Sequence, residues 1–269
     1  MARGATFADL DQDGDLDLYI ANVGKANEFL INDGSCHFTE GAKVRRHAHQ
    51  PRLAMIHTLQ AAGIDDSGVA QGMKVAELNG DGMLDIVVSN IGPLEGSLLF
   101  LNQGHGKFKE VSSEAGISHR IFGQGIAMAD VDNDGDMDMY ACTYGTPPLS
   151  WPSQDNRLYM NGASGLSWLK VRPLDAVHGK PTLLQSQVRV FEAGTATMLG
   201  TDVVDGGSGF CSQNEYGAYF GLDASVHKGV AAFDVEMRKP GQKEWTTKKH
   251  DPALGGVKPN SVLRPKCCA

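Results

Sequence analysis

Short apolar segments, separated by turns rich in glycine, asparagine and aspartate, fill the first 165 residues. Alternation of apolar and polar positions over such lengths predicts β-strands, and the polar turns predict antiparallel hairpins. Three stretches align without a gap. Each places a glycine, an apolar strand, an acidic nine-residue loop and a second apolar strand in the same order: GATFADLDQDGDLDLYIAN from Gly4, GMKVAELNGDGMLDIVVSN from Gly72 and GIAMADVDNDGDMDMYACT from Gly125.

A second predicted hairpin follows each stretch, beginning at Asn27, Ser97 and Asn156. About four short strands in a unit of roughly 50 residues are typical of a β-propeller blade. We therefore expect an all-β chain in which residues 1–166 form about three blades of a partial β-propeller, with open edges that are candidates for self-association. The first two units lie further apart, which we attribute to an Arg- and His-rich insertion over residues 43–59.

The acidic loops carry the candidate chemistry. Side-chain oxygens at loop positions 1, 3, 5 and 9, with a backbone carbonyl at position 7, supply the hard oxygen ligands that Ca²⁺ prefers. Glycine at position 6 allows the sharp turn that directs these oxygens to one centre. The predicted ligands for up to three calcium ions are Asp9, Asp11, Asp13, Asp15 and Asp17 in loop one; Glu77, Asn79, Asp81, Met83 and Asp85 in loop two; and Asp130, Asp132, Asp134, Asp136 and Asp138 in loop three.

Two other interpretations compete with a calcium site at these loops. An EF-hand shares the first half of the pattern, but it requires a glutamate at position 12 and flanking helices. Position 12 is Ile20, Val88 or Ala141, each inside an apolar run, so the EF-hand interpretation fails. Solvated acidic turns are the second alternative. Five carboxylates in nine residues repel one another by about 4 kcal/mol per close pair, which favours a bound cation.

Charge is divided unevenly along the chain. Residues 1–165 carry 11 Lys/Arg and 22 Asp/Glu, whereas residues 166–269 carry 13 and 10. The excess of acid in the first part disfavours nucleic-acid binding. No run of 18 apolar residues occurs, so no membrane span is expected. We expect no signal peptide in the given sequence, because no charged-then-apolar leader follows Met1, and a truncated start would reconcile this with secretion. The five cysteines show no metal-binding spacing, and their odd number leaves at least one thiol unpaired within the chain.

Residues 167–269 alternate apolar and polar positions over 168–172, 187–191, 196–204, 217–222 and 230–238, which predicts a separate β-rich domain. The GGSG at 206–209 is followed by Phe210 rather than by the glycine of a nucleophile elbow. No metalloprotease helix, phosphate loop or dinucleotide fingerprint is present. Cys211 is the remaining nucleophile candidate, and an ordinary half-buried thiol is the favoured interpretation of it. We expect no enzymatic activity.

The acidic loops resemble the FG-GAP/VCBS repeats of integrin-type β-propellers, in which such loops hold structural calcium between blade strands. The second half resembles the ASPIC/UnbV domain in three segments: WLKVRPL at 168–174, VDGGSGFCSQ at 204–213 and YFGL at 219–222. Tyr219 stands where that domain usually has a histidine. The combination resembles the cartilage acidic protein 1 family and covers nearly the whole chain.

This resemblance implies a non-enzymatic, calcium-stabilised adhesion or scaffold protein of the extracellular matrix or cell surface. Its partner would be a protein or a glycan, bound through the blade loops. Calcium also implies an extracellular or secreted location, because sites of this class bind at about 10⁻⁴–10⁻³ M, far above cytosolic calcium. The alternative is a catalytic or biosynthetic accessory protein, suggested by the bacterial UnbV branch of the family.

Overall fold

The structure is a computed structural model of the 269-residue chain. It describes residues 2–23, 26–40, 62–64, 66, 69–91, 96–118, 123–143, 155–162, 166–174, 184–207, 212, 214–223, 232–248 and 261–263. The regular elements in these ranges are all β-strands, as the sequence predicts. No helix in the same ranges is long and apolar enough to cross a membrane. The predicted insertion at 43–59 lies outside the described residues, as does Cys211.

The first two repeated units are four-stranded antiparallel meanders. Unit one consists of β1 (Ala2–Ala8), β2 (Asp17–Asn22), β3 (Glu28–Asn32) and β4 (Phe38–Glu40). Unit two consists of β5 (Ala70–Ala76), β6 (Asp85–Asn90), β7 (Leu98–Asn102) and β8 (Phe108–Glu110). The acidic loop joins the first two strands of each unit, with Ala8 paired to Asp17 and Ala76 to Asp85. Equal loop length and equal alternation fix the same register in both.

Unit three contains three described strands rather than the four expected: β9 (Gly123–Ala129), β10 (Asp138–Thr143) and β11 (Arg157–Tyr159). The hairpin predicted from Asn156 is therefore wrong in its second half. The next strand, β12 (Leu166–Val171), pairs in a different sheet. Leu169 and Val171 on β12 are completely buried in the core of the second half. That burial stabilises β12 more than the edge of unit three would.

Two sheets make up the described second half of the chain. In one, β12 lies between β15 (Ala218–Asp223), antiparallel to it, and β18 (Ser261–Leu263), parallel to it. The other has the order β14-β13-β16-β17, formed by β13 (Gln187–Glu192), β14 (Met198–Val203), β16 (Phe233–Arg238) and β17 (Thr246–Lys248). The five strands predicted here overlap β12 to β16, and β17 and β18 were not predicted.

The sheets of the repeated units pack on one another through apolar side chains. Between units one and two, the Phe29 and Phe108 rings meet edge to face with centroids 6.0 Å apart. Between units two and three, Val87 packs in one cluster with Met128 and Met139. Each such buried side chain contributes about 1.5–3 kcal/mol. Tyr219 of the second half joins the same cluster, so the two halves share part of their core.

Candidate metal centre

Each acidic loop turns sharply between two paired strands because two of its residues adopt a left-handed backbone. Position 6 is Gly14, Gly82 or Gly135, with φ of +96°, +80° and +104°. These φ values confirm the sharp turn predicted at that glycine. Position 4 is left-handed too, at Gln12, Gly80 and Asn133. Asparagine and glycine tolerate this region best, so their presence at position 4 was a signal that the sequence analysis missed.

In loop one the structure brings together three of the five predicted ligands. One carboxylate oxygen from each of Asp9, Asp11 and Asp17 lies within 4.8 Å of the other two. Burial, reinforced by the charges of neighbouring aspartates, raises the pKa of Asp9 to about 7. Burial likewise raises the pKa of Asp17 to about 6. The loop thus concentrates negative charge where water cannot screen it well.

Loop three repeats this arrangement, with oxygens of Asp130, Asp132 and Asp138 also within 4.8 Å of one another. Asp130 and Asp138 are buried, whereas Asp132 is exposed and could admit an ion from solvent. The equal positions 1, 3 and 9 in loops one and three show that the geometry follows from the repeat itself.

Positions 5 and 7 are placed differently from positions 1, 3 and 9. The position 5 carboxylates, Asp13 and Asp134, accept hydrogen bonds from the backbone N–H groups of Asp15 and Asp136, at 2.9 and 3.2 Å. These bonds hold the turn that follows the glycine. Neither carboxylate belongs to the close clusters formed by the described residues.

Loop two differs from the other two loops. Its described residues do not include a group of three clustered carboxylates. Instead Glu77 is buried and accepts hydrogen bonds from the N–H groups of Asn79 and Gly80. Burial raises the pKa of Glu77 to about 7. The Asn79 side-chain amide donates to the Asp81 carboxylate at 3.0 Å. Hydrogen bonds within loop two therefore pair several of its own polar groups. Met83, the predicted backbone ligand, donates its N–H to Asp81.

The carboxylate at position 9 also fastens each loop to its unit. Asp17 accepts the N–H groups of Leu10 and Asn32, at 2.9 and 3.0 Å. Asp85 and Asp138 accept equivalent pairs of backbone N–H groups. In every unit, one of the two donors is an asparagine at or just after the end of the third strand: Asn32, Asn102 and Asn161. Sequence reasoning missed this residue, although it recurs at one place in each predicted hairpin.

The same asparagines connect successive units. The side-chain amide of Asn102, in unit two, donates to the carbonyl of Leu10 in loop one at 3.0 Å. The amide of Asn161, in unit three, donates to the carbonyl of Leu78 in loop two at 2.9 Å. Leu10 and Leu78 both occupy loop position 2, so the junction between units is itself a repeated feature. Loops one and two are thereby held both from their own unit and from the next.

The second half of the chain contacts all three loops. Arg189 donates to the backbone carbonyl of Gly14 in loop one, and its guanidinium also stacks on Trp245 with 4.2 Å to the ring centroid. At loop two, the backbone N–H of Gly221 bonds to Glu77. A Cβ at Gly221 would collide with that carboxylate. Glycine is therefore required at 221 for the close approach.

Loop three meets the cation of Lys170 and the hydroxyl of Tyr219. The Lys170 ammonium lies 3.7 Å from an Asp130 oxygen and 2.8 Å from Glu215. Burial lowers the pKa of Lys170, and the charge of Asp130 opposes that shift. The Tyr219 hydroxyl lies 3.3 Å from the same Asp130 oxygen. Lys170 therefore partly compensates the charge of loop three, whereas Arg189 contacts loop one at a backbone carbonyl.

The clustered carboxylates fit a calcium ion. Two oxygens that each lie about 2.4 Å from one ion can be at most about 4.8 Å apart, the span found here. Asp9 Oδ1 and Asp130 Oδ1 are buried and accept no hydrogen bond from the described residues. A buried acceptor without a partner costs free energy that a cation would recover. Without one, carboxylates at this distance repel by about 3 kcal/mol per pair.

A family model for FG-GAP-like repeats matches residues 77–141. The matched region begins at the first residue of loop two, includes loop three and ends in β10. A comparison with curated proteins finds no match. These 65 residues are thus similar to an FG-GAP-like repeat, which agrees with the strand–loop–strand geometry of units two and three.

Proposed function

We propose that this chain is a non-enzymatic, calcium-stabilised adhesion or scaffold module. The observation that carries the proposal is the pair of buried carboxylate oxygens, on Asp9 and Asp130, that accept no hydrogen bond from the described residues. Asp9 and Asp130 each belong to a cluster in which three carboxylate groups have oxygens within 4.8 Å of one another. FG-GAP-like repeats often bind Ca²⁺, and calcium at loops one and three would neutralise both clusters. Loop two, the third predicted site, engages Glu77 with its own backbone.

In this proposal the three repeated units are blades of a partial FG-GAP-type β-propeller, and residues 167–269 form an ASPIC/UnbV-like domain packed over the loops. The meander order of units one and two supports the blade interpretation. The contacts of Arg189, Gly221 and Lys170 support the packing. Calcium at loop one would then stabilise the contact with Arg189, whereas the Lys170 ammonium opposes an ion at loop three.

We place the protein outside the cell, where calcium reaches the affinity range of such sites. Each ion would add about 0.4–1.4 kcal/mol of stability at about 1 mM calcium. The partner is a protein or a glycan that binds the loops and strand edges of the blades. The matching assay is binding of the calcium-loaded protein to arrays of matrix proteins and glycans, repeated in chelator.

The decisive experiment on the metal is a calcium titration by calorimetry, with thermal unfolding in about 1 mM calcium and in excess chelator. Asp9→Asn and Asp130→Asn should each remove one binding event and lower the calcium-dependent rise in Tm. Asp33→Asn is the matched control, because Asp33 is an exposed turn residue outside the loops. An unchanged Tm on chelation, with no heat of calcium binding, would refute the proposal and favour solvated acidic turns.

A further inference from the structure

The outer strand of a unit packs on the unit before it. In unit two, Phe108 of β8 meets Phe29 of unit one with ring centroids 6.0 Å apart. The turn before β8 also lies close, since a Cβ at Gly106 would be 3.5 Å from Ile31. Phe29 is consequently 2% exposed. An aromatic residue on the fourth strand thus closes the space between units one and two.

The corresponding space between units two and three is an open cavity of about 660 Å³. Leu99 and Leu101 line it, and they occupy the positions of Phe29 and Ile31 when the units are aligned on Asn32 and Asn102. Its apolar lining continues in unit three and the end of unit two with Val111, Ile117, Met128, Met139 and Met160. Polar side chains also line it: Asn79 of loop two, Gln103, Lys109, Glu114 and Asn161.

Among the described strands, β11 lies at the edge of its sheet, beside this cavity. The order of the third sheet is β11-β10-β9, so one edge of β11 is unpaired among the described strands. Leu158 and Met160 are each 49% exposed. An unpaired strand edge beside apolar side chains is a template for the addition of another strand.

We propose that this cavity binds an extended peptide segment of a partner protein, which adds to the edge of β11 and inserts an aromatic side chain between units two and three. Strand β8 indicates which side chain the cavity would bind, because its Phe108 fills the equivalent space between units one and two. The rim carries the exposed ion pair of Lys109 and Glu114, 3.2 Å apart. A polar rim around an apolar floor favours a partner that inserts one apolar side chain from a strand over a partner that presents a broad apolar surface.

The test uses a fluorescent peptide that copies residues 105–112 and the full-length protein, with binding measured by anisotropy. Saturable binding is expected. Replacing the phenylalanine of the peptide with alanine should weaken binding about thirtyfold or more. Methylating alternate backbone nitrogens of the peptide should also abolish binding, because strand addition needs main-chain hydrogen bonds. Binding that is insensitive to both changes, or no binding at all, would overturn the proposal.

Two variants of the protein locate the site. Met160→Glu places a carboxylate in the cavity and should weaken peptide binding at least about tenfold. Leu158→Glu is the matched control, since Leu158 is equally exposed but does not line the cavity. Both should unfold at the same temperature as the parent protein. Equal weakening of peptide binding by both variants would overturn the assignment of the peptide to this cavity. The same conclusion would follow if an apolar dye bound in the cavity were not displaced by the peptide.

Discussion

Asn102 allows a quantitative test of how the repeated units are joined. Replacing it with alanine removes donors to the carbonyl oxygens of Leu84, in its own unit, and Leu10, in loop one, each 3.0 Å away. Asn102 is completely buried, so water cannot replace the lost donors. A buried acceptor left without its donor costs about 1–3 kcal/mol, so the two carbonyls together predict a loss of unfolding free energy of about 2–6 kcal/mol.

Asn32 is the control for this substitution. Its side-chain oxygen accepts a hydrogen bond from the Gly34 N–H at 3.2 Å, within its own turn. Its side-chain amide donates to the Leu16 carbonyl of its own loop at 3.2 Å, as Asn102 donates to Leu84. It is only half-buried, and its described contacts include no loop of another unit. Asn32→Ala should cost about 1 kcal/mol, as expected for a partly solvated hydrogen bond. The difference from Asn102→Ala therefore combines the bond between units with the deeper burial of Asn102.

The assay is urea-induced unfolding of the parent and the variants in one calcium-containing buffer, followed by circular dichroism and tryptophan fluorescence. Unchanged m-values would show that the denatured states are comparable. Asn161→Ala should fall between the other two variants, because Asn161 donates to Leu78 but is half-buried. Equal losses for Asn102→Ala and Asn32→Ala would refute the view that the bond to the neighbouring loop joins the units.

Three further predictions concern the loops and the second half. Gly135→Ala should destabilise the protein by about 1–3 kcal/mol in thermal unfolding, because φ is +104° there and an indole ring occupies the space of a Cβ. Gly162→Ala, with no atom within 4 Å, should be close to neutral. Burial raises the pKa of Asp202 to about 6 from 3.8. The folded state thus binds this proton more tightly than the unfolded state, and stability present at pH 4 is lost as the pH rises to 6. The loss is about 2 kcal/mol after allowance for solvent screening, and Asp202→Asn should flatten that part of the urea-midpoint profile. Lys170→Met should tighten calcium binding at loop three about tenfold in calorimetry, because the ammonium 3.7 Å from Asp130 no longer opposes the ion. Unchanged affinity would contradict this.

Local sequence was sufficient to predict the strands and loops of the repeated units. Loop length, the glycine at position 6 and the apolar residue at position 8 recur without a gap, and these features act within a few residues of one another. Leu84 and Met137, at position 8, are indeed buried. The signal is strong because a hairpin is a local structure whose register depends on its own alternation.

The parts that the sequence did not predict depend on distant partners. The segment after Asn161 carries a turn signal like those of units one and two. The strand that follows nevertheless pairs in another sheet, where Leu169 and Val171 are buried in the core of the second half. The approach of Gly221 to Glu77 is equally invisible to periodicity, because the two residues belong to different sheets. Burial in a shared core overrides local propensity in such cases.

The contacts between the halves have a consequence for folding. Each meander closes over short loops, whereas Arg189 reaches Gly14 across 175 residues and Tyr219 reaches Asp130 across 89. Closing long loops is entropically costly and slows folding. We therefore expect the repeated units to form early and the second half to dock last, so that newly made chains pass through a state with uncovered acidic loops. Under the proposed calcium binding, the calcium available to that state would then determine the yield of folded protein.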